Sequence, residues 1–270
     1  MKVKFTKGGT RMDFKTIVYT KDSGIATVQL NRPEVLNAIN EDVLFDLSQA
    51  MHDMAKDDSV RVLVVKGNKE AFAAGADIKS FVNYSPQDAH QYISQVQKGM
   101  NMLMALGKPS IASISGYALG GGCELALACD IRIAADNAVF GLPEINLGII
   151  PGGSGTLRLT RLVGEGKAKE LIFLGEIFDA KKALDLGIIN RLVSLEDLEA
   201  ETLKLARKLT RKPPVALHSA KELIHLSYDV DIHTGLMMEK EKFAYLFSTE
   251  DQREGMLAFL EGRKASFQGK

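Results

Sequence analysis

The chain has 270 residues, 46% hydrophobic and 25% charged, which is enough to bury one large core and too apolar for a disordered protein. Lysine plus arginine equals aspartate plus glutamate at 34 each, so no global field draws the protein toward nucleic acid or an anionic membrane, and an anionic ligand must be held locally. The only cysteines, Cys123 and Cys129, form neither a disulfide framework nor a CxxC metal pair, and this fits a reducing compartment.

The stretch 1–15 is basic, with Lys2, Lys4, Lys7 and Arg11, but lacks the apolar segment of a secretory signal. No run of about 18 apolar residues follows anywhere. A cytoplasmic protein is expected, with a short mitochondrial presequence as the alternative. Met12 is a plausible second start, which would make the residues before it an extension. Short β-rich runs at 16–19 and 25–30 precede an amphipathic helix over Glu41–Lys56, where Val43, Leu44, Leu47, Ala50, Met51 and Met54 share one face. A strand at 62–65, a small-residue turn at 71–79, a helix over 86–106 and a buried strand at 110–115 follow. Then come a glycine run, a short helix at 123–129 and a strand at 131–134. The alternation predicts an α/β core. After residue 194 the strand signals stop and the pattern is helical, punctuated by Pro213 with Pro214 and by Asp229 and Asp231. Two regions result, a core over 1–193 and a helical region over 194–270 packed on that core or on a neighbouring subunit.

Three segments carry candidate chemistry. Gly120, Gly121 and Gly122 precede Cys123 and Glu124 where a strand passes into a helix. Consecutive glycines cost backbone entropy, and their use at a helix start is either close packing or the approach of a ligand to free N–H groups. The turn around Gly75, Ala76 and Asp77 is by itself ordinary, but if its N–H groups converge with those of the glycine run, two donors meet at one carbonyl oxygen as an oxyanion hole. In the third segment, 140–155, Glu144 stands in a largely apolar stretch, and Glu124 likewise opens an apolar helix. Desolvation raises a carboxyl pKa and suits it to proton exchange near neutrality. Each glutamate alone reads better as a surface or helix-end charge; the two together with the two turns read as a site.

Other residues invite less. His52, His90, His218, His225 and His233 lie on predicted helices without metal-ligand spacing. No histidine partners Cys123 as a base. The glycine run has neither the GK[ST] of a phosphate-binding loop nor the GxGxxG spacing of a dinucleotide fold. Met100, Met102 and Met104 read as core or as an adaptable pocket wall.

At these residues the sequence resembles the crotonase (enoyl-CoA hydratase) family across 14–267. The matching residues are Leu30, Asn31, Arg32 and Pro33 with Asn37 and Ala38; the segment 72–79; the run from Gly120 to Glu124; Pro143 with Glu144; Pro151 to Gly155; and Thr249 to Gln252 with Glu254 and Gly255. The resemblance implies a spiral of ββα units, a C-terminal helical trimerisation region, and a homo-oligomer, either a trimer or a dimer of trimers. It implies that the N–H groups of Ala76 and Gly121 bind the thioester oxygen and that Gly152 helps hold a water between Glu124 and Glu144. Val35, Leu36, Ala74, Gly75, Asp77, Ile78 and Lys79 are the implied substrate and CoA contacts. The activity implied is reversible syn hydration of a trans-2-enoyl-CoA, because both glutamate positions are filled. No metal or other cofactor is called for, since CoA is part of the substrate. An enoyl-CoA isomerase, or a hydratase specialised for a cyclic or branched acyl group, is the alternative. Fatty-acid β-oxidation, butyrate metabolism and amino-acid or aromatic-acid breakdown all use such enzymes. Glu34 stands where many relatives are basic, which leaves Lys79 as the nearer phosphate candidate. Ser80 and Leu157 replace a frequent glutamate and a frequent glutamine at the rim, and the acyl pocket is expected around Phe81 and Met100 to Met104. Some relatives bind RNA through a lysine-rich helix, but here Glu41–Lys56 carries Glu41, Asp42, Asp46 and Asp53 and a lysine only at its end.

Overall fold

A computed structural model describes residues 2–6, 9–79 and 81–270; the expectations resting on Lys7 and Ser80 lie outside the described residues. The chain opens with four antiparallel strands, β1 (Lys2–Thr6), β2 (Gly9–Asp13), β3 (Ile17–Asp22) and β4 (Ile25–Leu30). The described residues before Met12 thus pair as the edge strands of the sheet, and Met12 itself packs against the core. Helix α1 (Glu41–Lys56) begins where the Asn40 side chain accepts from the Val43 N–H, with Glu41 and Asp42 in its first turn. It buries the six apolar residues its periodicity marked, together with Asp46, which accepts from the backbone and hydroxyl of Thr16 at 2.8 and 2.7 Å.

Three ββα units follow. The first is β5 (Val62–Lys66), β6 (Ala71–Ala73) and α2 (Pro86–Ala105); the second is β7 (Ser110–Ile114), β8 (Tyr117–Leu119) and α3 (Gly121–Ala128); the third is β9 (Ile131–Ala135), β10 (Val139–Gly141) and α4 (Gly155–Val163). Helix α5 (Glu165–Leu174), β11 (Ile177–Asp179), α6 (Ala180–Asp185) and β12 (Arg191–Val193) complete the spiral. Among the described residues the long strands form an eight-stranded sheet, β1-β2-β3-β4-β5-β7-β9-β12, parallel from β4 onward. The short strands form a second sheet, β11-β10-β8-β6, in which β6, β8 and β10 are parallel. Sequence reading missed these short strands, because three residues give no period-two pattern.

The small sheet organises everything that follows. Its three parallel strands release the chain on one side, as Ala74–Ala76, Gly120–Gly121 and Leu142–Glu144, and ligands of parallel sheets gather outside the carboxyl ends of the strands. The C-terminal helices are α7 (Leu198–Leu209), α8 (Pro214–Leu226), α9 (Ile232–Leu246) and α10 (Glu250–Leu260). Leu198, Leu205 and Ala206 of α7 cover the far face of the large sheet against Ile25, Val62, Val64, Ile111 and Ile133. Helix α9 has no buried residue, and Leu236, Met237, Phe243 and Tyr245 stand exposed on it.

Candidate active site

The first wall is a zipper between residues 32–39 and 71–77. Leu36 and Asn37 both take left-handed backbone, with φ of 51° and 58°. Buried Asn37 supports that turn by accepting from the Arg32 N–H at 2.9 Å and donating to the Ala71 carbonyl at 2.9 Å. The Ala74 N–H donates to the Leu36 carbonyl, the Ile39 N–H to the Gly75 carbonyl and the Asp77 N–H to the Ile39 carbonyl. Val35, Leu36, Ala74, Gly75 and Asp77 therefore lie together. This parallel bridge uses the atoms on either side of Ala76 and turns the Ala76 N–H away from Ile39.

The second wall is the glycine run. Gly120 has φ of +49°, which favours glycine, and its N–H donates to the Gly141 carbonyl. At Gly122 a Cβ would sit 2.0 Å from the Ala73 carbonyl oxygen, so only glycine lets α3 approach β6 this closely. Gly121 begins α3, where backbone N–H groups have no partner within the helix. A Cβ built on Gly121 would lie 3.9 Å from the Ala76 nitrogen, so the two predicted donor positions are neighbours in space.

Glu124, on the first turn of α3, is 3% exposed. The Gly155 N–H donates to its Oε1 at 2.7 Å. A Cβ at Gly153 would stand 2.6 Å from its Oε2, and one at Gly155 would stand 2.9 Å from its Oε1. Gly153 and Gly155 are thus the cradle of a carboxylate, whereas a Cβ on Gly152, which the resemblance assigns to holding the water, would meet Ile93. Burial pushes the Glu124 carboxyl up to about 7, the nearby Glu144 charge adds to the push, and N–H groups of Gly155 and Gly153 oppose it. Glu144 sits in a 3₁₀ turn (Pro143–Leu147) directly after β10. Burial raises its pKa too, and its Oε2 is buried without a hydrogen-bond partner among the described residues. Its Oε1 would be 3.0 Å from a Cβ on Gly120, which places Glu144 against the glycine run.

Two cavities meet at Tyr84 and Tyr92. The smaller, about 400 Å³, is a mouth lined by Asn40, Glu41, Asp42, Asp77 and Lys79. Arg32 pairs with Asp77 there at 3.5 Å. Ile78, Lys79 and Glu34 are exposed. The larger, about 980 Å³, runs between α2 and residues 148–157 and touches the predicted catalytic set only at Gly152; neither Glu124 nor Glu144 lines it. Phe81 lines it as expected, and Leu157 lies on its rim. Met100 is buried in the core, one of the two readings given for the methionines, and Met104 lines a separate cavity of about 490 Å³. Ile93, Gln97 and Asn101 line the larger cavity beside Phe81. Tyr92, which sequence reading did not single out, is buried between both cavities with its hydroxyl 3.4 Å from the Ile39 carbonyl. Burial pushes the Cys123 and Cys129 thiols up to about 12, so neither is poised as a thiolate. No helix among the described residues is long and apolar enough to cross a membrane.

Comparisons with known proteins converge on one family and one fold. The chain is 40% identical over 257 residues to the crotonyl-CoA hydratase of Syntrophomonas wolfei, covering 95% of this chain and 99% of that one. It is 40% identical to the short-chain-enoyl-CoA hydratase of Clostridium acetobutylicum, covering 94% and 97% of the two chains. The crystal structure of an enoyl-CoA hydratase from Bacillus anthracis superposes with a TM-score of 0.89 at 37% identity, over 98% of this chain and all of that one. The spiral of ββα units is therefore the fold of solved enoyl-CoA hydratases. The profile of the enoyl-CoA hydratase/isomerase family matches residues 20–270, and the chain belongs to that family.

Proposed function

We propose that the protein is an enoyl-CoA hydratase, adding water reversibly and syn across the 2,3 double bond of a trans-2-enoyl-CoA to give the 3-hydroxyacyl-CoA. The observation that carries this reading is the pair of buried carboxyls, Glu124 and Glu144, whose pKa values are both raised and which flank the glycine run beside the N–H groups of Ala76 and Gly121. Those two N–H groups donate to the thioester oxygen and stabilise the enolate, an effect of about 10²- to 10³-fold per donor. Glu124 takes a proton from a water that Gly152 helps to hold, the water oxygen bonds to C3, and Glu144 delivers a proton to C2. Both carboxyls lie on one side of the bound double bond, so the addition is syn. General acid–base transfer contributes a further 10²- to 10⁴-fold, typical of positioned side chains.

Val35, Leu36, Ala74, Gly75, Asp77, Ile78 and Lys79 hold the CoA portion at the mouth. No step requires a metal or another cofactor, because CoA arrives as part of the substrate. The core over 1–193 carries the site and 194–270 serves assembly. Exposed apolar side chains on α8 to α10, among them Ile224, Leu236, Phe243 and Phe259, support a homo-oligomer, a trimer or dimer of trimers, in the cytoplasm. The test is loss of the conjugated enoyl-thioester absorbance with crotonyl-CoA, with product mass, for wild type, Glu124→Gln and Glu144→Gln. Gain of one water by wild type, lost by both variants while they still bind the CoA ester, is expected. A wild type that yields no hydrated product, or either variant at full rate, overturns the assignment.

A further inference from the structure

Gly152 and Gly153 share a peptide unit that faces two ways. In a planar trans peptide the carbonyl and the N–H point in opposite directions, so turning one turns the other. The Gly152 carbonyl accepts from the side-chain amide of Gln97 on α2 at 2.8 Å. The Gly153 N–H, at the other end of the same unit, faces Glu124, whose Oε2 would lie 2.6 Å from a Cβ on Gly153. A bond made on the α2 side therefore aims a donor on the carboxyl side. The chain alone does not secure that aim. Glycine takes positive and negative φ about equally, so a Gly-Gly peptide flips at little cost and would then turn a carbonyl toward Glu124.

A second grip lies one helical turn along. Asn101, four residues beyond Gln97 on the same face of α2, accepts from the Arg158 guanidinium at 3.3 Å. Arg158 stands three residues beyond Gly155 on α4, and the Gly155 N–H donates to the other oxygen of Glu124 at 2.7 Å. Gln97 and Asn101 thus hold the segment 152–158 at two points, and both N–H groups that face Glu124 lie between them. The grip at Gln97 is the direct one, because it shares a peptide with a donor, whereas Asn101 acts through a turn of α4. Gln97 is exposed, so replacing it tests the bond rather than the core.

We infer that Gln97 is a positioning residue for the acid/base reaction, holding the 152–153 peptide so that its N–H meets the Glu124 carboxylate. The inference rests on the hydratase reading for the part Glu124 plays but not for the geometry of the bond. Gln97 acts through the peptide, not on the reacting atoms. Loss of its bond frees the peptide, removes one donor that stabilises an ionised Glu124 and leaves the base protonated to higher pH. Glu144 and Arg158 act on Glu124 by charge, Tyr92 and Cys123 feel its charge in turn, and all four stay in every variant compared.

The experiment compares wild type, Gln97→Met and Gln97→Lys in two arms. Infrared titration follows the protonated-carboxyl band that disappears in Glu124→Gln, which reads the Glu124 midpoint with no substrate present. The kinetic arm follows kcat/KM for hydration of crotonyl-CoA across the same pH range. Gln97→Met, similar in length but without a donor, is expected to raise the midpoint by about half to one pH unit. It is expected to lower kcat/KM about three- to tenfold below the midpoint, with recovery above it. Gln97→Lys restores a donor and is expected to bring the midpoint back to the wild-type value or below it. A merely structural role would lower the rate equally at every pH. An unmoved midpoint in Gln97→Met overturns the inference, as does an equal upward shift in Gln97→Lys or a rate loss that does not depend on pH. If the midpoint shifts while wild type yields no hydrated product, the positioning bond stands and the hydratase reading falls. If wild type hydrates crotonyl-CoA and the midpoint does not move, the inference falls alone.

Discussion

Two short segments each supply one carboxyl to the site, and they hold it in opposite ways. On α3, Glu124 is nearly sealed from solvent, accepts the Gly155 N–H at 2.7 Å and is cradled by glycines that leave no room for a side chain. On the 3₁₀ turn after β10, Glu144 is half-buried, and its Oε2 has no hydrogen-bond partner among the described residues. Burial acts on both in the same direction, upward, and acts harder on Glu124 because it is deeper. Hydrogen bonding acts differently: the N–H groups of Gly155 and Gly153 stabilise an ionised Glu124, whereas Glu144 has its own backbone N–H and an Oε2 without a partner among the described residues. The charge of Glu144 adds to the upward push on Glu124, so the two carboxyls titrate in each other's field. The lesson is that burial outweighs the donors at Glu124, so it keeps its proton below about pH 7 and serves as a base only as the pH rises through that value.

If the pair shares one proton in one reaction, the carboxyls are a unit. Glu124→Gln and Glu144→Gln should each lower kcat by about 10²- to 10⁴-fold, and the double variant should lose little more than the worse single. Steady-state rates of all four proteins give the answer. Losses that multiply would mean two independent groups and would dissolve the asymmetry.

A second consequence concerns stability. The folded Glu124 carboxyl lies near 7, against an ordinary value of 4.5. Between those values the folded protein holds a proton that the unfolded chain has released, so this group's contribution is complete below about pH 4.5 and is lost as pH rises through 7. Glu124→Gln removes that loss. Relative to wild type, its melting temperature should therefore rise as pH goes from 5 to 8, by the equivalent of on the order of 3 kcal/mol at most. The same comparison with Glu144→Gln should give a smaller change. An unchanged difference for Glu124→Gln would mean that the glycine N–H donors cancel burial completely.

How much of this was legible from sequence depended on length and on cost. Helix α1 was read to the residue, because sixteen residues of amphipathic pattern with acids at one end and a lysine at the other leave little freedom. The glycine run stood out because three successive glycines are expensive, and the two glutamates because they interrupt apolar stretches. Strands of three residues carried no such signal, so β6, β8 and β10, which deliver all three arms of the site, stayed hidden. Nor does a pattern reveal that Ala76 and Gly121 meet, since that contact comes from β6 lying beside β8. The lining of the larger cavity is hidden for the same kind of reason. Periodicity marks the apolar face of α2, and Tyr92, Val96, Met100 and Leu103 on that face are buried in the core. The cavity is lined by the neighbouring face, where Ile93, Gln97 and Asn101 read as unremarkable surface.

The smallest effect expected lies farthest from the carboxyls, at the mouth. Lys79 shares that cavity with Glu41, Asp42 and Asp77, a poor setting for a CoA phosphate unless the acids are neutralised. Two of them are: Lys15 pairs with Asp42 at 2.6 Å and Arg32 with Asp77 at 3.5 Å. Lys79 is exposed, and an exposed ion pair contributes about 0.2 to 1 kcal/mol. Lys79→Ala should therefore raise KM for an enoyl-CoA by roughly two- to fivefold at low ionic strength, with kcat unchanged, because the contact is made equally in ground and transition states. The difference should fade as salt approaches 1 M, where the screening length drops to about 3 Å. A KM that is insensitive to Lys79 at every salt concentration would mean that Glu34 and its neighbours leave the phosphates to solvent or to a neighbouring subunit. A change in kcat would mean instead that the mouth and the carboxyl pair are coupled, and the two halves of the site could no longer be treated as separate.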